Sequence, residues 1–285
     1  MASVRYPVND VAAAVAHLLA LLLVVLAPAA HALPPCDPCT IASGTYRAVT
    51  PPGWNGTNRL PVLVFLHGWR ANGSDMVSDP AISGPASALH FLLIAPDGAG
   101  GTWSFTGGPG GKRDDFSFVH AVLADVHARW PVDECTVVAG GFSIGGSMVW
   151  DLACHAAGGF TALLPFSGGF WDPIPEACTS GPVNLRHVHG RADTTVPLAG
   201  RTIGGRWHQA DILKGFSVWR AEDRCPEAPD RQTHDGKLDC DVWSSCGSGR
   251  TLQLCLHPGD HEIDAAWLEG GLRWALALSA GPPAR

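Results

Sequence analysis

Residues 136–147 read Thr136-Val137-Val138-Ala139-Gly140-Gly141-Phe142-Ser143-Ile144-Gly145-Gly146-Ser147. The run Cys135 to Ala139 predicts a buried strand, and Ile144 to Ala156 predicts a helix. Between them stands Gly-x-Ser-x-Gly. A strand-to-helix turn this tight leaves no room for side chains beside the serine and forces the serine backbone into a strained conformation. The strain exposes a hydroxyl near a helix N-terminus, where negative charge is stabilised. With 34 glycines in the chain the five-residue string alone is weak. The strand before it and the helix after it give it meaning.

Outward from this turn, strand and helix signals alternate. Leu60 to Leu66 and Phe91 to Ala95 are continuous apolar runs of the kind found in strands buried on both faces. Phe160 to Pro165, Val183 to Val188 and Thr251 to Leu256 predict further strands. Asp114 and Asp115 can cap a helix in which Phe118, Val122 and Val126 recur at helical spacing. Glu262 to Leu278 predicts a closing amphipathic helix with Trp267 and Trp274 on its apolar side. Gly98 to Lys112 reads as a loop. The alternation predicts an α/β fold, a mainly parallel central sheet with helices on both faces.

The chain has 285 residues, 46% of them hydrophobic, which suits one large α/β domain. Met1 to Asp10 carries Arg5, Val11 to Leu26 is almost wholly apolar, and Ala30-His31-Ala32 is a small-x-small site. Residues 1–32 therefore read as a secretory signal peptide, with the catalytic domain over residues 33–285. The alternative is a membrane anchor, since the apolar run is near the spanning minimum of about 17 residues. Losing residues 1–32 removes one base (Arg5) and one acid (Asp10), so the net charge stays at −7. With no basic run, nucleic acid is an unsuitable partner. The nine cysteines suit an exported, oxidised protein, and an odd count leaves one without an intrachain partner. Cys36 and Cys39 form a CxxC with no second ligand pair, which favours a disulfide over a metal. Cys154 with Cys178, Cys240 with Cys246, and Cys225 with Cys255 are the expected pairs. No metal and no cofactor is expected.

A serine hydroxyl is a poor nucleophile at neutral pH; it needs a base, and the base needs an orienting carboxylate. Downstream of Ser143 the best acid is Asp193, in His189-Gly190-Arg191-Ala192-Asp193, directly after a predicted strand. Its bland alternative is to cap a turn. The best base is His261, in His257-Pro258-Gly259-Asp260-His261, between the last strand and the last helix. His257 and His189 compete with it, and Asp260 reads as a solvated neighbour. An oxyanion hole needs two backbone N–H donors. Ile144, next after the serine, and Trp69, in His67-Gly68-Trp69-Arg70, are the expected pair.

Leu66-His67-Gly68-Trp69, Arg113-Asp114-Asp115-Phe116, Gly141-Phe142-Ser143-Ile144-Gly145-Gly146, His189-Gly190-x-x-Asp193 and Gly259-x-His261 together resemble the α/β-hydrolase group of secreted polyhydroxybutyrate depolymerases and feruloyl or acetylxylan esterases. The resemblance covers about residues 40–278. It implies an α/β-hydrolase fold and a secreted serine carboxylic-ester hydrolase. Ser143, Asp193 and His261 would be its triad, and Trp69 and Ile144 its oxyanion donors. Two positions depart from the pattern: Ile144 is apolar, and Gly-Asp-His stands where Gly-Gly-His is commoner. No linker or substrate-binding module follows the last helix, which shifts weight towards soluble oligomers or small esters. The expected substrate is a polyester oligomer or an acylated plant polysaccharide fragment, turned over by a monomer with no stable membrane anchor. Trp69, Trp103 and Trp171 are the expected substrate-binding aromatics, with Phe105 nearby, and Gly107 to Gly111 a candidate rim. A serine peptidase of the same fold and a non-catalytic polymer- or carbohydrate-binding protein are the alternatives.

Overall fold

The computed structural model describes residues 36–280, together with Met1 and Ala2. The expected signal peptide, with its apolar run and cleavage site, lies outside the described residues. The elements run β1 (Cys39–Ile41), β2 (Gly44–Val49), β3 (Leu60–Leu66), α1 (Gly73–Ser78), α2 (Pro80–Ala88), β4 (Leu92–Pro96), α3 (Asp115–Arg129), β5 (Val132–Phe142), α4 (Ile144–His155), β6 (Ala162–Phe166), β7 (Leu185–Gly190), β8 (Arg201–Ile203), β9 (Trp207–Gln209), α5 (Ile212–Glu222), β10 (Arg231–Asp235), β11 (Leu238–Trp243), β12 (Leu252–His257) and α6 (Ala265–Ser279).

Ten strands form one sheet in the order β1-β2-β4-β3-β5-β6-β7-β12-β11-β10. From β4 through β12 neighbouring strands are parallel, and antiparallel pairs close both edges. A strand in such a sheet must be apolar on both faces, and β3 is. Val62, Val64 and Leu66 join one cluster, with α3, α4 and α5, while Leu63 and Phe65 join a second, with α2 and α6. Helices thus cover both faces, as the alternation predicts.

The predicted strands in the parallel core are all present: β3 has the predicted bounds, β5 runs three residues further at each end, and the others are shifted by one or two residues. The first antiparallel edge, the β10–β11 hairpin, α1, α2, α5 and the small β8–β9 sheet were not predicted. Of the two aspartates at the start of α3, Asp114 alone caps it, accepting from the Ser117 N–H at 3.1 Å. Asp115 is buried and holds the Arg113 guanidinium and the Ser104 N–H, each at 2.6 Å. The motif therefore ties the Gly98–Lys112 loop to α3.

Two disulfide pairings match expectation, Cys36–Cys39 and Cys154–Cys178, and two do not. Cys240 pairs with Cys255 and Cys225 with Cys246, correcting the Cys240–Cys246 and Cys225–Cys255 pairing. The reason is register. β11 and β12 are antiparallel neighbours with Cys240 directly opposite Cys255. Cys225 and Cys246 follow the ends of α5 and β11, with Cα atoms 4.0 Å apart. Cys135 is the free thiol and is exposed. No helix among the described residues is long and apolar enough to cross a membrane.

Candidate active site

Ser143 is the hinge between β5 and α4. Its φ of 57° and ψ of −121° lie where side-chain-bearing residues are rare, a strain on the order of 1–3 kcal/mol. Its surroundings hold it there. The Ser143 N–H donates to the Phe166 carbonyl on β6 at 2.9 Å, and its carbonyl accepts from Ser147 at 3.0 Å. At Gly145 any Cβ would sit 2.1 Å from the Leu66 carbonyl oxygen, so only glycine lets α4 start this close to β3. Ile144 is the first residue of α4, so its N–H lies in the turn that has no intrahelical acceptor.

The loop after β3 lies over this elbow. A Cβ placed on Gly68 would be 3.7 Å from that of Ser143. His67, fully buried, braces the loop. Its Nε2 accepts from the Gly98 N–H at 2.9 Å, which leaves Nδ1 to donate to the Gly68 carbonyl at 2.7 Å. Burial holds this imidazole neutral by pushing its pKa down. Trp103 is not the substrate-facing aromatic expected: it is completely enclosed, lies tilted against His67 with ring centres 4.8 Å apart, and donates its indole N–H to the His67 carbonyl at 2.9 Å. It is a buttress for the Trp69 loop.

Asp193 and His261 come together from β7 and β12, adjacent parallel strands. The loops following them are stitched by Arg191 N–H to His257 carbonyl at 2.8 Å and Ala192 N–H to Gly259 carbonyl at 3.1 Å. Gly190 permits this, because a Cβ there would lie 2.3 Å from the Asp260 carbonyl oxygen. Asp260, expected to be a solvated neighbour, is exposed but adds a clamp, accepting from the Thr194 N–H at 2.8 Å. His261 Nδ1 stands 2.7 Å from Asp193 Oδ2. Asp193 Oδ1 accepts from the N–H groups of Thr195 (2.9 Å) and Val196 (2.7 Å). Burial opposes ionisation of Asp193, but the bonds from His261 and Val196 outweigh it and hold the carboxyl below its ordinary range. The imidazole packs against Phe142, ring centres 4.8 Å apart, which sets it beside the serine turn.

The competing histidines are both fully buried. His189 Nε2 is engaged by the Val196 carbonyl at 2.7 Å, and His257 lies against the Trp267 indole, 4.1 Å between ring centres. His261 alone of the three keeps an edge accessible, with 15% of its side chain exposed.

A cavity of about 340 Å³ opens on Ser143 and is lined by Trp69, Trp171 and Trp207, with Ile144, Val196 and Ile203. Trp69 is half exposed at its mouth. Trp171 is buried and fixed by its indole N–H to Ser147 Oγ at 3.2 Å and by the edge of Phe105. Pro109, in the candidate rim, also lines the cavity. The sequence reading missed Ile203, Trp207, Arg201 and Gln209, all from the β8–β9 hairpin. Its signal was present: Gly204-Gly205 between Arg201-Thr202-Ile203 and Trp207-His208-Gln209 is a hairpin pattern. The hairpin is anchored by Asp172 N–H to His208 carbonyl at 2.8 Å and Ala210 N–H to Phe170 carbonyl at 3.0 Å.

A strand–serine–helix turn, an aspartate–imidazole pair on adjoining strand ends and an aromatic cavity on a mainly parallel sheet define an α/β-hydrolase. Comparison with known proteins narrows this. A probable feruloyl esterase C of Aspergillus niger is 30% identical over 242 residues, covering 78% of this chain and 82% of that protein. Feruloyl esterase C of Emericella nidulans is 33% identical over 164 residues, 54% of this chain and 57% of that protein. No protein-family model matches. An acetyl xylan esterase from Aspergillus awamori superposes with a TM-score of 0.53 at 15% identity, covering 76% of this chain and 88% of its own. A Bacillus cereus carboxylesterase does so at 0.53 and 13%, covering 83% and 95%. These two likenesses show the fold. The chain belongs to the feruloyl esterase C group of α/β-hydrolase esterases and is a carboxylic-ester hydrolase.

Proposed function

We propose that the protein is an exported serine esterase that cleaves hydroxycinnamoyl esters, of the feruloyl type, from plant polysaccharide fragments. Ser143 attacks the ester carbonyl. His261, whose Nδ1–H is committed to Asp193, presents Nε2 as the base that takes the serine proton. Asp193 fixes that tautomer and stabilises the imidazolium as it forms. The N–H groups of Ile144 and Trp69 receive the oxyanion. The acyl-enzyme then loses its acyl group to water, with His261 again as base. Four disulfides among the described residues favour an oxidising compartment, which supports the reading of residues 1–32 as an export signal.

The observation that carries the substrate class is the cavity over Ser143, walled by three indoles. Flat aromatic acyl groups bury well against such faces. Acetyl groups would leave most of that surface unused, and a hydroxybutyrate chain has no ring to stack. The test is a panel of methyl ferulate, acetylated xylan and hydroxybutyrate oligomers, with a fluorophosphonate probe on wild type and Ser143→Ala. Wild type should label and prefer ferulate, and Ser143→Ala should do neither. Preferred turnover of hydroxybutyrate oligomers would replace the substrate assignment, and labelling of Ser143→Ala would remove the nucleophile.

A further inference from the structure

Beneath the Asp193 turn runs a row of completely buried polar rings that the esterase mechanism does not use: Trp150 on α4, then His187 and His189 on β7. Trp150 Nε1 is 3.2 Å from His187 Nδ1, His187 Nε2 is 3.0 Å from His189 Nδ1, and His189 Nε2 is 2.7 Å from the Val196 carbonyl. His189 Nε2 also lies 3.5 Å from Asp193 Oδ2, the oxygen that His261 engages.

The row has only one consistent direction. An indole N–H can donate and never accept. His187 Nδ1 must therefore present a lone pair, so a neutral His187 carries its proton on Nε2 and donates to His189 Nδ1. His189 then carries its proton on Nε2 and gives it to Val196. The carbonyl of Pro165 also faces the His187 ring; as an acceptor it competes with His189 for the single N–H, and the direction of the row is set by its ends, the Trp150 donor and the Val196 acceptor. A second proton on either histidine would set N–H against N–H. Burial disfavours the charged forms in the same sense. The row ends on a residue held by both backbone groups: Val196 gives its N–H to Asp193 Oδ1 and its carbonyl receives His189.

We propose that Trp150, His187 and His189 form a one-way hydrogen-bond chain that positions the Asp193 turn against His261, which makes His187 and His189 positioning residues of the esterase site. The inference rests on the reading of Asp193 as the triad acid. The chain commits the buried donors in series, so the turn cannot rotate without leaving an N–H unpaired in the core. It also leaves Asp193 Oδ2 aimed at the imidazole.

The test compares His189→Leu, His189→Gln and Trp150→Phe in the full exported chain, with near-ultraviolet circular dichroism as the fold check. His189→Leu deletes the last donor and should lower kcat about 10- to 100-fold with KM nearly unchanged. His189→Gln keeps a donor at the Nε2 position and should return kcat to within about fivefold of wild type. Trp150→Phe keeps an aromatic ring and deletes only the group that sets the direction; it should lower kcat about three- to tenfold. The downfield proton resonance of the His261–Asp193 hydrogen bond should broaden in His189→Leu and return in His189→Gln. A folded His189→Leu with wild-type kcat and an unchanged resonance overturns the proposal. If His189→Leu fails to fold, Trp150→Phe decides: wild-type kcat and resonance in that variant overturn it. Asp193→Asn run in parallel separates the two readings. Wild-type turnover in that variant removes Asp193 as the acid, whereas an inactive Asp193→Asn beside a fully active His189→Leu removes the chain alone.

Discussion

The cavity over Ser143 has two walls of different construction. One is the sheet edge itself, where β5, β7 and β12 end in Ser143, the Asp193 turn and the His261 loop. Asp193 is buried, its turn is bonded to the His261 loop through the backbone, Ser143 is bonded through its backbone to β6 and α4, and buried histidines lie behind Asp193. The other is assembled from connections: Pro109, Trp171 and the β8–β9 hairpin with Ile203 and Trp207. On the proposed mechanism the first wall places the reacting atoms, where small errors are costly. The second supplies surface, where shape and area count more than any single atom. On the proposed function, chemistry in this one cavity is built on strand ends and selectivity on the connecting segments.

Four experiments press on that difference. The largest effect falls on the first wall. Asp193→Asn keeps the side-chain shape but misdirects the His261 tautomer, and kcat should fall about 10⁴-fold with the fold intact. Next is its scaffold. Replacing Cys240 and Cys255 with serine opens a loop of 15 residues and should cost about 3 kcal/mol, lowering Tm on the order of 6–12 °C while kcat changes little. Calorimetry and initial rates separate the two. On the second wall, Trp207→Ala should lower kcat/KM for methyl ferulate about tenfold and leave acetate esters within about twofold. Equal losses on both substrates would break the division between the walls.

The smallest effect concerns Asp151 on α4, which ties the Thr106 N–H, at 3.2 Å, to the helix behind the second wall. Burial raises its pKa to about 7, well above the unfolded value of about 3.9. The folded state therefore keeps a proton that the unfolded state releases between these values. Its share of stability is complete below about pH 4 and declines as pH rises to about 7. Asp151→Asn should erase that decline, so that its Tm falls less than that of wild type between pH 4 and pH 7.5, read by thermal melts at the two values.

How much was legible follows the same division. Gly141-Phe142-Ser143-Ile144-Gly145 sits at the end of a strand because its neighbours are apolar and its turn is tight, both local facts. Asp193 and His261 were legible because each follows a predicted strand in a short loop. Among the antiparallel edge strands, β10 was missed because it is mostly exposed and polar, with no apolar face to mark it. The β8–β9 hairpin was missed because strands of three residues carry almost no periodicity, though Gly204-Gly205 marked its turn.

The sequence by itself determined the α/β class, the serine turn and the order of the three proposed catalytic groups, because those rest on local backbone geometry and on the period of apolar residues. Only the tertiary structure decided which histidine faces the site, which cysteines meet, that Trp103 is a buttress while Trp207 is a wall, and that His187 and His189 align beneath Asp193. Each of these depends on strand register and on burial from several directions at once, and neither is a property of neighbours in the chain.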